Sequence, residues 1–258
     1  MTDRLAGKST VITGGAGGIG SGTGRLFCAE GARVVLMDLD DDALAKAAGD
    51  ITAGMPDADV ATVTADIARE DDAARAMAEA ADRLGGIDVL VNNAGIRKFG
   101  HLTEATPESW QDILSVNLLG TANCAKAAMP WLRSAANGAI VNVSSVHGEI
   151  GRKNMGQYDA TKAAIISMTR TWAHEEAEHG VRVNAVCPGG TLTPFHKARF
   201  AAQGLDQAAI DALQSDITLM RRWARVEEIA FPILWLASEE ASFVTGATLM
   251  VDGGKSAM

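Results

Sequence analysis

The sequence predicts an α/β protein in which a parallel β-sheet is covered by helices on both faces. Short runs rich in apolar and β-branched residues alternate along the chain with amphipathic or alanine-rich stretches long enough to form helices. Parallel strands need crossover connections of that length, and such connections pack helices against the sheet. No linker-like composition and no repeat of fixed period marks a second unit, so we expect residues 1–258 to form one domain.

Seven strands and the helices between them follow from this alternation. The β-rich runs predict strands at Ser9–Thr13, Arg33–Met37, Val60–Thr64, Asp88–Val91, Ala139–Val143, Val181–Val186 and Ala247–Val251. The stretches between them predict helices at Gly18–Glu30, Asp41–Ala53, Glu70–Leu84, from Thr106-Pro107 to about Arg133, at Gln157–His179 and at Val226–Ala237. The Thr-Pro pair is a clear helix start, because Thr caps a helix and Pro suits its first position. The segment from about 188 to 215 breaks the alternation, and an insertion of that length predicts a substrate loop or lid.

Composition and charge exclude several classes of protein. The 23 basic and 32 acidic residues give a formal net charge of −9, which argues against a nucleic-acid-binding protein. No apolar run approaches the ~18 residues of a membrane span, and the N-terminus lacks the apolar segment of a signal peptide. Three scattered cysteines without a C-x-x-C pair are typical of reduced thiols in the cytoplasm. His174 and His179 would lie on different faces of one helix, so we expect no metal site.

A glycine-rich turn follows the first strand and opens the first helix. Two glycine patterns overlap there, G-x-G-x-x-G over 15–20 and T-G-x-x-x-G-x-G over 13–20. A strand, such a turn and a helix together place backbone N–H groups and a helix N-terminus against a phosphate, although a ligand-free tight turn would leave the same pattern.

Asp38 directly follows the second strand, about 20 residues after the glycine turn. A carboxylate at this spacing accepts hydrogen bonds from adenosine ribose hydroxyls and repels a 2′-phosphate. The alternative role for Asp38 is that of an ordinary helix-capping acid. Because further acids follow it and no arginine is near, the sequence favours NAD over NADP.

Four polar residues form a second group of candidates. The only tyrosine, Tyr158, is followed four residues later by Lys162, so in a helix the phenol and the ammonium share one face. Ser145 lies just past the end of a predicted strand, and ligands bind at the carboxyl ends of strands in doubly wound sheets. Asn117 lies inside a predicted helix, where asparagine is unfavourable and calls for a local partner.

Together these motifs resemble the short-chain dehydrogenase/reductase (SDR) family. The resemblance is carried by the glycine pattern over 13–20, Asn92-Asn93-Ala94-Gly95, Asn117, Ser145, Tyr158-x-x-x-Lys162 and Pro188-Gly189, and it extends from Lys8 to the Val251-Asp252-Gly253-Gly254 end. It implies a single Rossmann-fold domain with a doubly wound seven-stranded parallel sheet, a nicotinamide cofactor and a homo-oligomer, either a tetramer or a dimer.

The resemblance also implies a role for each motif residue. Tyr158 would be the general acid/base, and Lys162 would favour its ionised form and contact the nicotinamide ribose. Ser145 would hold the substrate oxygen. Asn117 would position a water in a proton relay. The implied cofactor-binding residues are Gly14, Gly18, Ile19, Gly20, Asp38, Asp66, Ile67, Asn93, Ala94, Gly95, Tyr158, Lys162, Pro188, Gly189, Thr191 and Thr193. Thr191 departs from the Val or Ile that is commoner in the family.

Arg97, His147 and Arg152 are candidates for substrate contacts. The pairs Arg97-Lys98 and Arg152-Lys153 should border the substrate pocket. There they would either attract a polar or anionic substrate or serve only as loop charges that keep the protein in solution. His147 follows Ser145 by two residues and is either a hydrogen-bond partner for substrate or a loop histidine.

The sequence as a whole predicts a cytoplasmic NAD-dependent oxidoreductase without membrane or nucleic-acid partners. It would transfer a hydride between nicotinamide and a secondary alcohol or ketone, on a small polar molecule such as a sugar, polyol or hydroxy acid. Two alternatives stay open. A 3-oxoacyl-thioester (acyl-carrier-protein) reductase using NADPH is opposed by Asp38, and a non-catalytic nucleotide-sensing scaffold is opposed by the complete set of four polar residues.

Overall fold

The computed structural model describes residues 3–213 and 217–258. Over these residues the chain forms one seven-stranded parallel sheet of order β3-β2-β1-β4-β5-β6-β7. The strands are β1 (Ser9–Thr13), β2 (Arg33–Asp38), β3 (Val60–Thr64), β4 (Val89–Asn92), β5 (Ala139–Val143), β6 (Arg182–Pro188) and β7 (Thr248–Val251). After β3 the chain crosses to the other side of β1, and this reversal opens a crevice at the carboxyl ends of β1 and β4.

Helices cover both faces of the sheet, as the alternation predicts. They are α1 (Gly18–Ala29), α2 (Asp41–Gly54), α3 (Glu70–Leu84), α4 (Pro107–Leu114), α5 (Thr121–Ser134), α6 (Gly156–Glu176), α7 (Pro194–Ala202), α8 (Gln207–Ala212) and α9 (Val226–Ala237). Helices α1, α2 and α9 pack on one face, and α3, α5 and α6 pack on the other, each with its own apolar cluster. The central strands β1, β4 and β5 are buried along their whole length because helices cover both of their faces. The predicted single α/β domain with a doubly wound sheet is therefore confirmed.

The long predicted helix from Thr106-Pro107 onwards contains an irregular segment. Thr106 caps it through a hydrogen bond from the Ser109 N–H to its side chain. Between α4 and α5, however, Ser115–Gly120 form a π-helical turn. Such turns insert one residue into a helix and recur at functional sites, and this one contains Asn117.

The insertion after β6 forms two short helices, α7 and α8, rather than an irregular loop. The last two residues of the predicted 188–215 segment lie outside the described residues. In the part of the chain that is described, no helix combines the length and apolarity that crossing a membrane requires.

Candidate active site

The glycine turn lies against the start of α1 and one wall of the crevice. Gly14 adopts φ 64°, and a Cβ there would lie 2.8 Å from the Ala94 Cα. A Cβ on Gly18 would lie 2.8 Å from side-chain atoms of Thr193 and Pro194, at the start of α7. The turn therefore needs glycine, and it leaves the N-terminus of α1 open to a ligand phosphate.

Asn93 fastens the glycine turn to the end of β4. Its side-chain Nδ2 donates to the carbonyls of Thr13 and Gly14, each at 3.0 Å. The Thr13 hydroxyl in turn accepts from the backbone N–H groups of Asn93 and Ala94 at 3.1 Å. The two loops that flank the crevice are thus held at a fixed separation before any ligand arrives.

A cavity of about 390 Å³ runs along these loops towards β2 and β3. Most of the residues predicted for the adenosine half of a cofactor line it, namely Gly14, Gly18, Ile19, Asp38, Asp66, Ile67, Asn93, Ala94 and Gly95, together with Thr193. Gly20 is not among the lining residues, because it packs against the turn itself. Of the described lining residues, none is lysine or arginine.

The Asp38 carboxylate is oriented by two backbone donors. Its Oδ2 accepts from the Ala16 N–H of the glycine turn at 3.1 Å, and its Oδ1 accepts from the Leu39 N–H at 2.8 Å. Each carboxylate oxygen retains a further lone pair for ribose hydroxyls. Asp66 is anchored similarly, with Oδ1 accepting from the Ala68 N–H at 3.0 Å. The glycine cradle and these two acids fit the adenosine half of a dinucleotide.

A second cavity, of about 480 Å³, continues from the first across Ile19, Asn93, Gly95 and Thr193, which line both. It contains the predicted residues Ser145, Tyr158, Lys162, Pro188, Gly189 and Thr191. A ligand that extends from the first cavity into the second would therefore bring its far end beside Tyr158.

Tyr158 and Lys162 lie one turn apart on α6, as their spacing predicts. The Lys162 Nζ donates to the Val143 carbonyl at 2.8 Å and lies 5.6 Å from the centre of the Tyr158 ring. Lys162 is only 4% exposed, and this burial lowers the pKa of its ammonium. Among the described residues no hydrogen bond uses the Tyr158 hydroxyl, which leaves that oxygen to a molecule in the cavity.

Ser145 stands between β5 and a short 3₁₀ turn over Val146–Gly148. Its side chain accepts from the His147 N–H at 3.1 Å and is nearly buried at the cavity wall. The hydroxyl proton of Ser145 thus has no competing acceptor in the described structure, so it can be donated to an oxygen of a bound molecule.

Asn117 is explained by the π-helical turn that contains it. Its Oδ1 accepts from the Ile96 N–H at 2.7 Å, while Nδ2 donates to the Ile96 carbonyl and to the Thr161 hydroxyl, both at 3.0 Å. The side chain therefore fixes the loop after β4 and joins it to α6. Asn117 does not line either cavity, and a Cβ on Gly95 would fall 3.2 Å from Asn117 Oδ1 and 3.5 Å from Lys162 Nζ.

Of the two predicted pairs of loop cations, the structure separates one and keeps the other together. Arg97 lines the second cavity, with its guanidinium 5.6 Å from the centre of the Tyr158 ring. Lys98 instead forms an ion pair with Asp112 at 2.8 Å, away from the cavity. Arg152 and Lys153 both line it.

His147 also lines this cavity and is nearly buried. Its Nδ1 lies 3.3 Å from the Ile150 carbonyl and its Nε2 lies 3.3 Å from Lys255 Nζ. A carbonyl can only accept and an ammonium can only donate, so the contacts select the neutral ring with its proton on Nδ1. Burial, together with the charge of Lys255, lowers the pKa of His147 to about 4.

His196, Trp223 and Lys255 are charged or aromatic residues that line the cavity and that the sequence analysis missed. His196 and Trp223 lie in the cavity wall with ring centres 5.7 Å apart, and the Trp223 indole donates to the Ile210 carbonyl of α8 at 2.8 Å. Lys255 returns to the cavity from the tail after β7. A helix-start pattern at Thr193-Pro194 foreshadows α7 and hence His196, but no local signal points to Trp223 or Lys255.

Comparison with known proteins agrees with this architecture. A family profile described as "Enoyl-(Acyl carrier protein) reductase" matches residues 14–256. A 3-oxoacyl-(acyl-carrier-protein) reductase of Thermotoga maritima is 41% identical over 254 residues, which span 97% of this chain and 98% of that protein. The cis-4-hydroxycyclohexanecarboxylate dehydrogenase of Sinomonas cyclohexanicum is 40% identical over 261 residues and 100% of both chains. The crystal structure of levodione reductase is similar with a TM-score of 0.90 at 31% identity, over 98% of this chain and 99% of that one.

The chain therefore belongs to the short-chain dehydrogenase/reductase family. It is an oxidoreductase of the kind that acts on secondary alcohols or ketones with a nicotinamide cofactor.

Proposed function

We propose that this protein is an NAD-dependent dehydrogenase that interconverts a secondary alcohol and a ketone on a small polar molecule such as a sugar, polyol or hydroxy acid. The observation that carries the proposal is the continuity of the two cavities. One end holds Asp38 and no cation among its described lining residues, and the other end presents the Tyr158 hydroxyl beside Ser145 and Lys162.

The cofactor preference rests on charge. NAD has free ribose hydroxyls where NADP carries a 2′-phosphate, and Asp38 presents oriented carboxylate oxygens at the glycine turn. Hydroxyls gain hydrogen bonds from such a carboxylate, while a phosphate is repelled by it and finds no lysine or arginine among the described residues of that cavity.

The proposed chemistry divides the work between cofactor and protein. The nicotinamide ring, when bound, supplies the hydride acceptor for oxidation and the hydride donor for reduction. Ser145 donates a hydrogen bond to the substrate oxygen and orients it. During oxidation the hydroxyl proton of the substrate passes to the Tyr158 oxygen, and during reduction it returns. Lys162, whose Nζ lies 5.6 Å from the centre of the Tyr158 ring, would contact the nicotinamide ribose.

Asn117 serves in this scheme as a positioning residue, and a water between it and Lys162 would relay the proton outward. Pro188, Gly189 and either Thr191 or Thr193 would meet the carboxamide end of the cofactor. The segment from about 188 to 215 would act as the lid of the substrate pocket, supported by His196 of α7, which lines the cavity. We also propose a cytoplasmic homo-oligomer, a tetramer or a dimer, which is supported by exposed apolar side chains such as Phe231 and Phe243.

The second candidate is reduction of a 3-oxoacyl thioester, which the name of the Thermotoga maritima relative favours. That reading expects NADPH, and Asp38 opposes it. An assay at 340 nm separates the readings. Purified protein is offered NAD or NADP with a panel of secondary alcohols, and NADH or NADPH with ketones and an acetoacetyl thioester. The proposal expects turnover of a small alcohol or ketone with NAD(H). Turnover of the thioester with NADPH alone would overturn it, and binding of NAD without turnover of any compound would favour a scaffold.

A further inference from the structure

The second cavity concentrates positive charge in a protein of net charge −9. Its lining includes Arg97, Arg152, Lys153, Lys162 and Lys255. Among its described lining residues there is neither aspartate nor glutamate. A cavity wall of one sign raises the local concentration of ligands of the opposite sign.

Among the residues that the structure describes, these cations lack the carboxylate partners that other cations of the protein have. Lys98, Arg133 and Arg222 each form an ion pair at 2.7 or 2.8 Å. Within residues 3–213 and 217–258, none of the five cations that line the cavity forms an ion pair, so no carboxylate oxygen lies within 4.0 Å of their charged groups.

Two acids, Asp159 and Asp252, attract these cations by charge, and each accepts hydrogen bonds from backbone N–H groups, while Asp159 Oδ1 is buried without a hydrogen-bond partner in the described structure. Asp159 Oδ2 accepts from the backbone N–H of Arg152 at 2.8 Å, not from its guanidinium. Asp252 accepts from the N–H groups of Gly254 and Ser256 at 3.0 and 2.7 Å. They attract the cations at a distance without forming contacts with them.

Neutral imidazoles orient two of the cations instead. His196 Nε2 lies 3.3 Å from the Arg97 guanidinium, and His147 Nε2 lies 3.3 Å from Lys255 Nζ. In both pairs the cation is the donor and the ring nitrogen the acceptor. An uncharged acceptor holds the side chain in place and leaves its positive charge uncompensated.

We propose that the substrate carries an oxyanion, such as a carboxylate, sulfonate or phosphate, and that Arg97, Arg152 and Lys255 bind it in this cavity. This rests on the proposed function, because the same cavity receives the alcohol beside Tyr158. The cavity of about 480 Å³ also has to receive the nicotinamide end of the cofactor, so the substrate is a small acid. The carboxylate in the name of the Sinomonas cyclohexanicum relative's substrate is consistent with this class.

The test measures binding without turnover. Cyclohexanecarboxylate, cyclohexanesulfonate, cyclohexyl phosphate and the neutral cyclohexanecarboxamide are titrated calorimetrically into the wild-type protein, with and without NADH. Variants Arg152→Gln and Lys255→Gln follow, with Lys46→Gln as the control, since Lys46 is exposed on α2 and pairs with Asp50. Thermal unfolding of each variant verifies folding.

We expect at least one anion to bind tenfold or more tighter than the amide, and each cavity variant to weaken that anion by about 10- to 100-fold. Lys46→Gln should change nothing, and the amide should bind all proteins alike. The three anions together show which oxyanion is preferred. The proposal is overturned if no anion binds better than the amide, or if the cavity variants behave like Lys46→Gln. Anion binding without turnover of any alcohol would refute the proposed function alone, whereas turnover of neutral alcohols without anion preference would refute this inference alone.

Discussion

Asp38→Asn should weaken the preference of the enzyme for NAD over NADP while keeping the hydrogen bond from the glycine turn. The substitution removes one negative charge and keeps one oxygen that accepts from the Ala16 N–H, while the amide NH2 group cannot accept from the Leu39 N–H as the second carboxylate oxygen does. The scale of the repulsion follows from Coulomb's law for two charges taken to be about 5 Å apart. At that separation the repulsion is about 1 kcal/mol per pair of unit charges in water and about 3 kcal/mol at an effective dielectric constant of 20.

Because Asp38 is partly exposed and the phosphate carries between one and two negative charges, we expect repulsion of about 2–4 kcal/mol. This corresponds to a preference for NAD over NADP of roughly 30- to 1,000-fold in kcat/KM. In Asp38→Asn the ratio should fall below about tenfold, mainly through a gain with NADP.

The assay measures initial rates at 340 nm with each cofactor at a fixed alcohol concentration. Asp42→Asn serves as the control, because it removes the same charge from an exposed position on α2. Equal use of NAD and NADP by the wild-type protein would refute the reasoning. So would an Asp38→Asn ratio that matches the one found for Asp42→Asn.

Three further outcomes follow from the structure. Gly18→Ala should weaken NADH binding at least about tenfold in a fluorescence titration, because the new Cβ would crowd Thr193 at the N-terminus of α1, where a cofactor phosphate would bind. An unchanged affinity would argue against phosphate binding at the glycine turn. Burial lowers the pKa values of His147 and His196 to about 4 in the folded protein. Between pH 6.5 and 4 the unfolded chain therefore binds more protons than the folded one, so the free energy of unfolding should decrease as the pH drops through that range. The melting temperature of a His147→Gln variant should depend less on pH there, and an identical pH profile would contradict the burial argument. Glu176→Gln should lower the melting temperature by roughly 4–8 °C, which corresponds to a loss of about 2 kcal/mol in the free energy of unfolding. The reason is that the buried Glu176 carboxylate accepts two hydrogen bonds of 2.7 Å from Arg133. A shift within about 1 °C of that for the exposed Glu178→Gln would show that the ion pair contributes little to stability.

The sheet and the Tyr158–Lys162 pair could be predicted because both depend on local periodicity. Buried parallel strands favour short runs rich in apolar and β-branched residues, and a four-residue spacing on a helix puts two side chains on one face. The strand boundaries agree with the structure to within one or two residues at each end.

The role of Asn117 in the π-helical turn could not be predicted, because its side chain bonds to the Ile96 backbone, which is distant along the chain. The same limit applies to the loop cations. Lys98 and Lys153 both follow an arginine in a loop, yet Lys98 turns to Asp112 while Lys153 lines the cavity. Lys255 enters the cavity only because the chain folds back after β7, which no short-range pattern encodes.

The central claim is that Tyr158 exchanges a proton with the substrate while other residues bind the cofactor, and the Tyr158→Phe variant tests it most directly. The ring is retained and only the hydroxyl is lost, and that hydroxyl takes part in no hydrogen bond within the described structure, so folding should be unaffected. We measure NADH affinity by fluorescence and the rate of NAD reduction on the same preparation with a compound that the wild-type protein oxidises. The account predicts NADH affinity within about threefold of wild type and turnover lower by about 10²–10⁴-fold. Turnover within about tenfold of wild type, with NADH still bound, would contradict it.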